Sequence, residues 1–231
     1  MSKSTFKKDI FEIEKTVEKL AKNRYSYLFL SILLLLALMP IVENWHPIFI
    51  PLLFLMLIMA ILYNLNASKR LSRFLLILGL LSFLFSLIAR TVPQIQEKNF
   101  YLLLFGVIIN ALFILVSIKI LVARIFSEKI ITSDTIQGGI SVYFLMAFLW
   151  AFFYDILLLF DPNAISLPGT GINHSEIIYF SFTTLTTLGY GDISPVSHMA
   201  RNLTILESTL GPLYLAVLIS RLVSKHVSGV K

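Results

Sequence analysis

Long apolar runs separated by short polar breaks set the layout of this chain. Runs near 25 to 42, 48 to 65, 72 to 90, 100 to 122, 139 to 160 and 200 to 223 are each long enough to cross about 30 Å of hydrocarbon as a helix. A seventh run, roughly 175 to 186, is too short to cross. It reads as a half-helix dipping into the bilayer, because backbone at membrane depth must be helical or enclosed by protein or water. The breaks Glu43-Asn44-Trp45-His46-Pro47 and Asn66 to Arg73 are tight turns. Residues 1 to 24 place Phe6, Ile10, Ile13, Val17 and Leu20 among lysines, which is one face of a helix lying on a membrane surface. The bland alternative for that segment is a disordered basic tail. Ser127 to Gly139 is a polar linker with Ser133 or Asp134 placed to cap the next helix. The pattern divides the chain into 1–24, a four-helix membrane domain 25–126, a linker 127–138, a second membrane unit 139–223 and a short tail 224–231.

Composition agrees with a polytopic membrane protein, since 57% of the 231 residues are hydrophobic and 14% charged. Of the 19 basic residues, Lys3, Lys7, Lys8, Lys15, Lys19, Lys22 and Arg24 precede the first run. Lys69, Arg70 and Arg73 fall between the second and third, Lys119, Arg124 and Lys129 flank the end of the fourth, and Arg221, Lys225 and Lys231 belong to the end of the chain. Arg90, Lys98 and Arg201 alone fall on the other side, so both termini are expected to be cytoplasmic, in a cell (inner) membrane. The net charge of +6 is then the positive-inside bias and an attraction to anionic membrane lipids, not a nucleic-acid footprint. The chain has no cysteine, which removes disulfides and thiolate metal sites. The region before Tyr25 is long and mixed in charge and no small-x-small site closes the first run, so that run reads as a retained anchor. His46, His174, His198 and His226 are scattered without ligand spacing. His174 and His198 read as solvated surface residues beside an outer loop. Nothing resembling a catalytic triad, a carboxylate pair or a phosphate-binding glycine loop is present, so neither an enzyme nor a cofactor is expected.

The most specific stretch follows the short seventh run: Tyr179-Phe180-Ser181-Phe182-Thr183-Thr184-Leu185-Thr186-Thr187-Leu188-Gly189-Tyr190-Gly191-Asp192-Ile193-Ser194-Pro195. Its core, TTLGYGD, resembles the selectivity filter of the tetrameric potassium channels, and Ile136 to Val223 resembles their pore, in the style of small prokaryotic six-helix members. The resemblance implies an all-α membrane protein with a four-helix peripheral bundle, then a two-helix pore module with a re-entrant pore helix and filter. It also implies passive K+ conduction through a homotetramer, the partners of each chain being three identical subunits and membrane lipids.

Carried over residue by residue, the resemblance assigns Thr187, Leu188, Gly189, Tyr190 and Gly191 to the filter. Carbonyl oxygens of Thr187, Leu188, Gly189 and Tyr190 would replace the hydration shell of K+, the Thr187 hydroxyl closing the innermost site. Gly189 and Gly191 would supply backbone conformations that side chains oppose, and Tyr190 would face away and brace the loop. Asp192 would sit at the outer mouth. Gly211, twenty residues after Gly191, and Pro212 fall where the inner helix of relatives bends as a gating hinge; close packing of Gly211 on the pore helix is the competing reading. Pro212, Leu215 and Ile219 match cavity-lining positions.

Two departures matter. Leu188 stands where valine is commonest, which leaves the carbonyl unchanged. The fourth run, Phe100 to Leu121, has Lys119 alone with Arg124 beyond it, where voltage-gated relatives repeat basic residues. One charge crossing 100 mV gains about 2.3 kcal/mol, and these two lie at the inner edge, so the first four helices read as a scaffold with weak voltage dependence. Asp155 and Glu207 are acids within apolar runs and need partners. At about 100° per residue, Glu207 points about 115° away from the cavity-lining direction. It is therefore expected to support the filter from behind in a hydrogen-bonded or protonated state, with hydroxyls of Thr183 and Thr184 as donors; a water-filled crevice that merely solvates the acid is the competing reading. The competing functions are a non-conducting scaffold or regulatory subunit and a transporter, the latter disfavoured because transporters of this kind hold four degenerate filter loops in one chain.

Overall fold

The computed structural model describes residues 24–42, 49–65, 69–91, 100–128, 131–167 and 174–228. Each apolar run forms a helix: α1 (Arg24–Val42), α2 (Phe49–Leu65), α3 (Lys69–Thr91), α4 (Phe100–Ser127), α5 (Ser133–Phe160), the short α6 (His174–Leu185) and α7 (His198–Ser228). Two-residue strands, β1 (Ile165–Ser166) and β2 (Ser194–Pro195), pair antiparallel. Three stretches, Phe100–Ser127, Ser133–Phe160 and His198–Lys225, are each long and apolar enough to cross a membrane, and Arg24–Met39 and Pro51–Asn64 are shorter apolar helices. The segment before Arg24, the break at 43–48 and residues 168–173 of the outer loop lie outside the described residues, as does the surface-helix reading of 1–23.

Helix ends differ from the sequence expectation, because polar residues extend the helices past the apolar runs. α5 begins at Ser133, so the second half of the expected linker 127–138 is helical, and α7 runs on to Ser228. Neither Ser133 nor Asp134 caps α5. Thr132 does, its hydroxyl accepting from Thr135 N at 3.2 Å while Thr132 N donates to Thr135 Oγ1 at 3.3 Å, a reciprocal capping box. Asp134 is thereby released to cap another helix. It accepts from Ser26 N at 2.8 Å, Ser26 Oγ at 2.9 Å and Tyr25 N at 3.3 Å, satisfying amides at the start of α1.

α5 is the central element and packs against α1, α4, α6 and α7. Its Leu145, Ala147, Phe148, Ala151 and Tyr154 are fully buried. Small residues set the closest approaches, as expected where lipid cannot drive helices together. A Cβ on Gly138 would lie 2.8 Å from the Tyr25 ring of α1, and one on Gly139 would lie 2.7 Å from Leu218 of α7. Tyr214 donates to the Gly139 carbonyl at 2.9 Å, and its ring stacks on Tyr143 at 6.1 Å. Among α1 to α4, polar groups bond across helices: Ser82 of α3 donates to Asn110 of α4, and Arg124 of α4 donates to the Asn64 carbonyl near the end of α2. At the end of α4 the Phe126 carbonyl accepts from Arg221 and Lys225 of α7, with the Arg221 guanidinium 5.7 Å from the Phe126 ring centre. At the opposite end of α5, the Phe160 and Phe100 rings meet at 5.2 Å.

Candidate functional site

α6 ends at Leu185 and the chain leaves it through a tight, non-helical return. Four successive amides in this return point back at the helix: Thr186 N to Phe182 O at 3.1 Å, Thr187 N to Thr184 O at 3.0 Å, and Leu188 N and Gly189 N to Thr183 O at 2.9 and 3.1 Å. A trans peptide sets its C=O opposite its N–H, and no peptide bond in the described chain is cis. The carbonyls of Thr187 and Leu188 therefore point away from α6. Thr187, Gly189 and Gly191 have φ of 60°, 52° and 83°, with Leu188 and Tyr190 between them at negative φ. Positive and negative φ thus alternate along the return. The glycines are required by conformation and not by space, because a Cβ on Gly189 or Gly191 would meet nothing within 4 Å. Thr187, being β-branched, is strained at its φ, and the bonds to Thr183 and Thr184 hold it there.

The return is exposed in the single chain, Leu188 at 55% and Tyr190 at 69%. Tyr190 is thus left uncovered within one copy. Asp192 is tied down by Tyr179 of α6, whose hydroxyl donates to it at 2.9 Å. The outer end of the return is anchored by the β1–β2 pair and by Val196 N and Ser197 N, which donate to Ala164 O at 2.8 and 3.1 Å. Ser197 caps α7 by accepting from Ala200 N at 3.1 Å. Neither Tyr179 nor the strand pair is signalled by local pattern. The first pairs across 13 residues, and strands of two residues have no periodicity to read.

Glu207 is completely buried, on the side of α7 away from exposed Pro212 and Ile219, while Leu215 is half-buried against the core. Its partners correct the expectation. They are Tyr154 Oη of α5 at 2.6 Å and Ser181 Oγ of α6 at 2.5 Å, not the hydroxyls of Thr183 and Thr184. The Thr183 hydroxyl instead donates to Phe180 O at 3.0 Å, a back-bond that a helical threonine makes readily. Gly211 is buried where α7 presses on the end of α6: a Cβ there would lie 2.2 Å from the Leu185 carbonyl oxygen, which also accepts from Tyr143 Oη at 3.0 Å. α7 continues as helix through Gly211 and Pro212. His174 is not a solvated residue. Its Nδ1 lies 2.8 Å from Asp155 Oδ2, the side chains 24% and 12% exposed, and its ring stacks on Phe152 at 5.8 Å. That pair joins the start of α6 to α5 and gives Asp155 its partner.

Residues 140–227 match a family model described as "Ion channel". The matched segment contains α6, the return, α5 from residue 140 onward and nearly all of α7. It supports an ion-channel function in place of catalysis, and with the apolar helices a multi-pass membrane protein that assembles as an oligomer. Comparison with curated proteins and with solved structures gave no match.

Proposed function

We propose that the chain is a potassium-selective channel that conducts passively through a ring of four identical copies. One copy supplies one strand of carbonyls, and a cation stripped of water needs oxygens from all sides. The observation that carries the reading is the backbone of Thr187 to Gly191. The amides of Thr187, Leu188 and Gly189 are spent on α6, the carbonyls of Thr187 and Leu188 point away from it, and positive φ recurs at every second residue. In this reading Thr187, Leu188, Gly189 and Tyr190 offer carbonyls to K+, Asp192 attracts cations at the mouth, Thr183 and Thr184 support the strand through their backbone oxygens, and Leu215 and Ile219 flank the cavity below. Exposure of the return and of Ile205, Leu210, Leu213 and Val217 on α7 fits a surface that neighbouring copies cover. Pro212 gives the inner helix a point at which it can bend, beside Gly211, where α7 packs on the end of α6.

The helices α1 to α4 act as a scaffold with little voltage dependence. Arg124 is bonded to the Asn64 carbonyl, and Lys119 is exposed near the same end. Planar-bilayer recording from the purified protein tests the function: exchanging Na+ for K+ should shift the reversal potential toward the K+ equilibrium value. A reversal potential indifferent to the exchange would end the potassium reading.

A further inference from the structure

The buried contact of α5, α6 and α7 at Glu207 contains more close oxygen pairs than an ionised carboxylate can satisfy. Ser181 Oγ lies 2.7 Å from the Ala147 carbonyl and 2.5 Å from Glu207 Oε1. A serine hydroxyl has one proton to give. If Glu207 were ionised and took that proton, the Ala147 oxygen and Ser181 Oγ would face each other at 2.7 Å with no hydrogen between them. If the serine gave it to Ala147, a carboxylate oxygen would face Oγ at 2.5 Å with none between those two.

The neighbouring hydroxyls do not relieve the conflict. Thr204 Oγ1 donates to Ala200 O at 2.8 Å, and Tyr154 Oη, 3.5 Å from Thr204, has its short contact of 2.6 Å with Glu207 Oε2. Among the described residues no cation pairs with Glu207. The titratable groups facing it are the phenols of Tyr154 and Tyr143 on α5.

We propose that Glu207 is carried at neutral pH as the uncharged acid, its Oε1 proton bonding Ser181 Oγ, so that one relay binds three helices. Tyr154 donates to Oε2, Glu207 donates to Ser181, and Ser181 donates to the Ala147 carbonyl. Every donor and acceptor is then used once, and no charge is buried without a counter-charge. Glu207 is a positioning residue. It holds α6, and through α6 the return at Thr187, against both long helices; that consequence for the filter rests on the channel reading, whereas the protonation state does not.

Infrared difference spectroscopy of the protein in lipid vesicles at neutral pH, wild type against Glu207→Gln, reads the acid directly. The wild type should contribute a neutral carboxyl C=O stretch that the variant lacks, and Ser181→Ala should move that band to higher frequency by removing its acceptor. Glutamine retains both a donor and an acceptor, so its melting temperature should stay near wild type, while Glu207→Leu should lose about 5–10 °C. Absence of the neutral-acid band, or melting of the glutamine variant as low as the leucine variant, would overturn the proposal. Should Glu207→Gln not fold, the Ser181→Ala band shift decides the matter. None of these readouts needs ion flow, so a failed band leaves the channel reading standing and a silent channel leaves the band in place.

Discussion

Replacing Gly211 by alanine separates a hinge from a close-packed contact, because the two roles move stability in opposite directions. As a point of flexibility alone, glycine inside α7 costs helix stability, and alanine should restore about 1 kcal/mol. As a contact, alanine puts a methyl carbon 2.2 Å from the Leu185 carbonyl oxygen, 3.1 Å from Leu185 Cδ1 and 3.2 Å from the Leu185 carbonyl carbon. A tolerated carbon-to-oxygen contact is about 3.3 Å or longer, so α7 and the end of α6 must part by about 1 Å. The obstacle is backbone, which cannot rotate away, and the same oxygen accepts from Tyr143 at 3.0 Å. Overpacking of this kind costs about 1–3 kcal/mol. Because the obstacle is backbone, the upper part of that range applies, about 2–3 kcal/mol; less the helix gain of about 1 kcal/mol, the expected net loss is about 1–2 kcal/mol, or about 2–8 °C in melting temperature for a chain of this size. Thermal denaturation of purified protein in detergent measures it. Adding Leu185→Ala should not rescue Gly211→Ala, since the carbonyl remains. Gly139→Ala meets only the side chain of Leu218, at 2.7 and 2.9 Å, and Leu218→Ala should relieve it. A Gly211→Ala protein as stable as wild type, or more so, would refute the packing argument.

Alanine at Gly189 or Gly191 should leave the protein folded, since a Cβ finds open space at both, yet the left-handed conformation costs it about 1–2 kcal/mol; bilayer recording should show K+ selectivity or conduction lost, and a normal selective current would count against the carbonyl geometry. Open probability should vary shallowly with voltage, and neutralising Lys119 and Arg124 together should lower stability, through the lost Arg124 to Asn64 bond, without changing the slope; an e-fold rise within a few millivolts would contradict this. A double-mutant cycle on Asp155→Asn and His174→Gln, read by thermal denaturation, should give a coupling of about 1 kcal/mol, at the upper end for partly exposed pairs. Simple additivity would mean that the contact at 2.8 Å contributes nothing.

What could be read from the sequence was local. The positions of the helices follow from apolar runs, and Gly189-Tyr190-Gly191 stands out because glycine spacing records backbone conformation directly. Glu207 could be placed on the side of α7 away from Pro212 and Ile219 from helical geometry alone, and it is buried there. Its partners could not be named, because Ser181 and Tyr154 lie 26 and 53 positions away, and depth alone does not separate Ser181 from Thr183 and Thr184. The same holds for His174: a histidine in a polar loop looks solvated until the end of α5 brings Asp155 beside it. Local pattern points Asp134 at the start of its own helix, whereas Thr132 closes that end and frees the carboxylate for α1.

That borrowed cap has a consequence of parity. A side chain of the first turn of α5 reaches the first turn of α1, so both helices start at one face of the layer. The path from one start to the other must then traverse that layer an even number of times. Arg124 on Asn64 brings the ends of α2 and α4 to the same face, and Arg221 on Phe126 adds the end of α7. Phe160 against Phe100 places the finish of α5 with the beginning of α4 on the far side. The hydrogen bonds thus act as a checksum on the threading: deleting or adding one helix among α1 to α4 would leave Asp134 and Ser26 at opposite ends of the bundle.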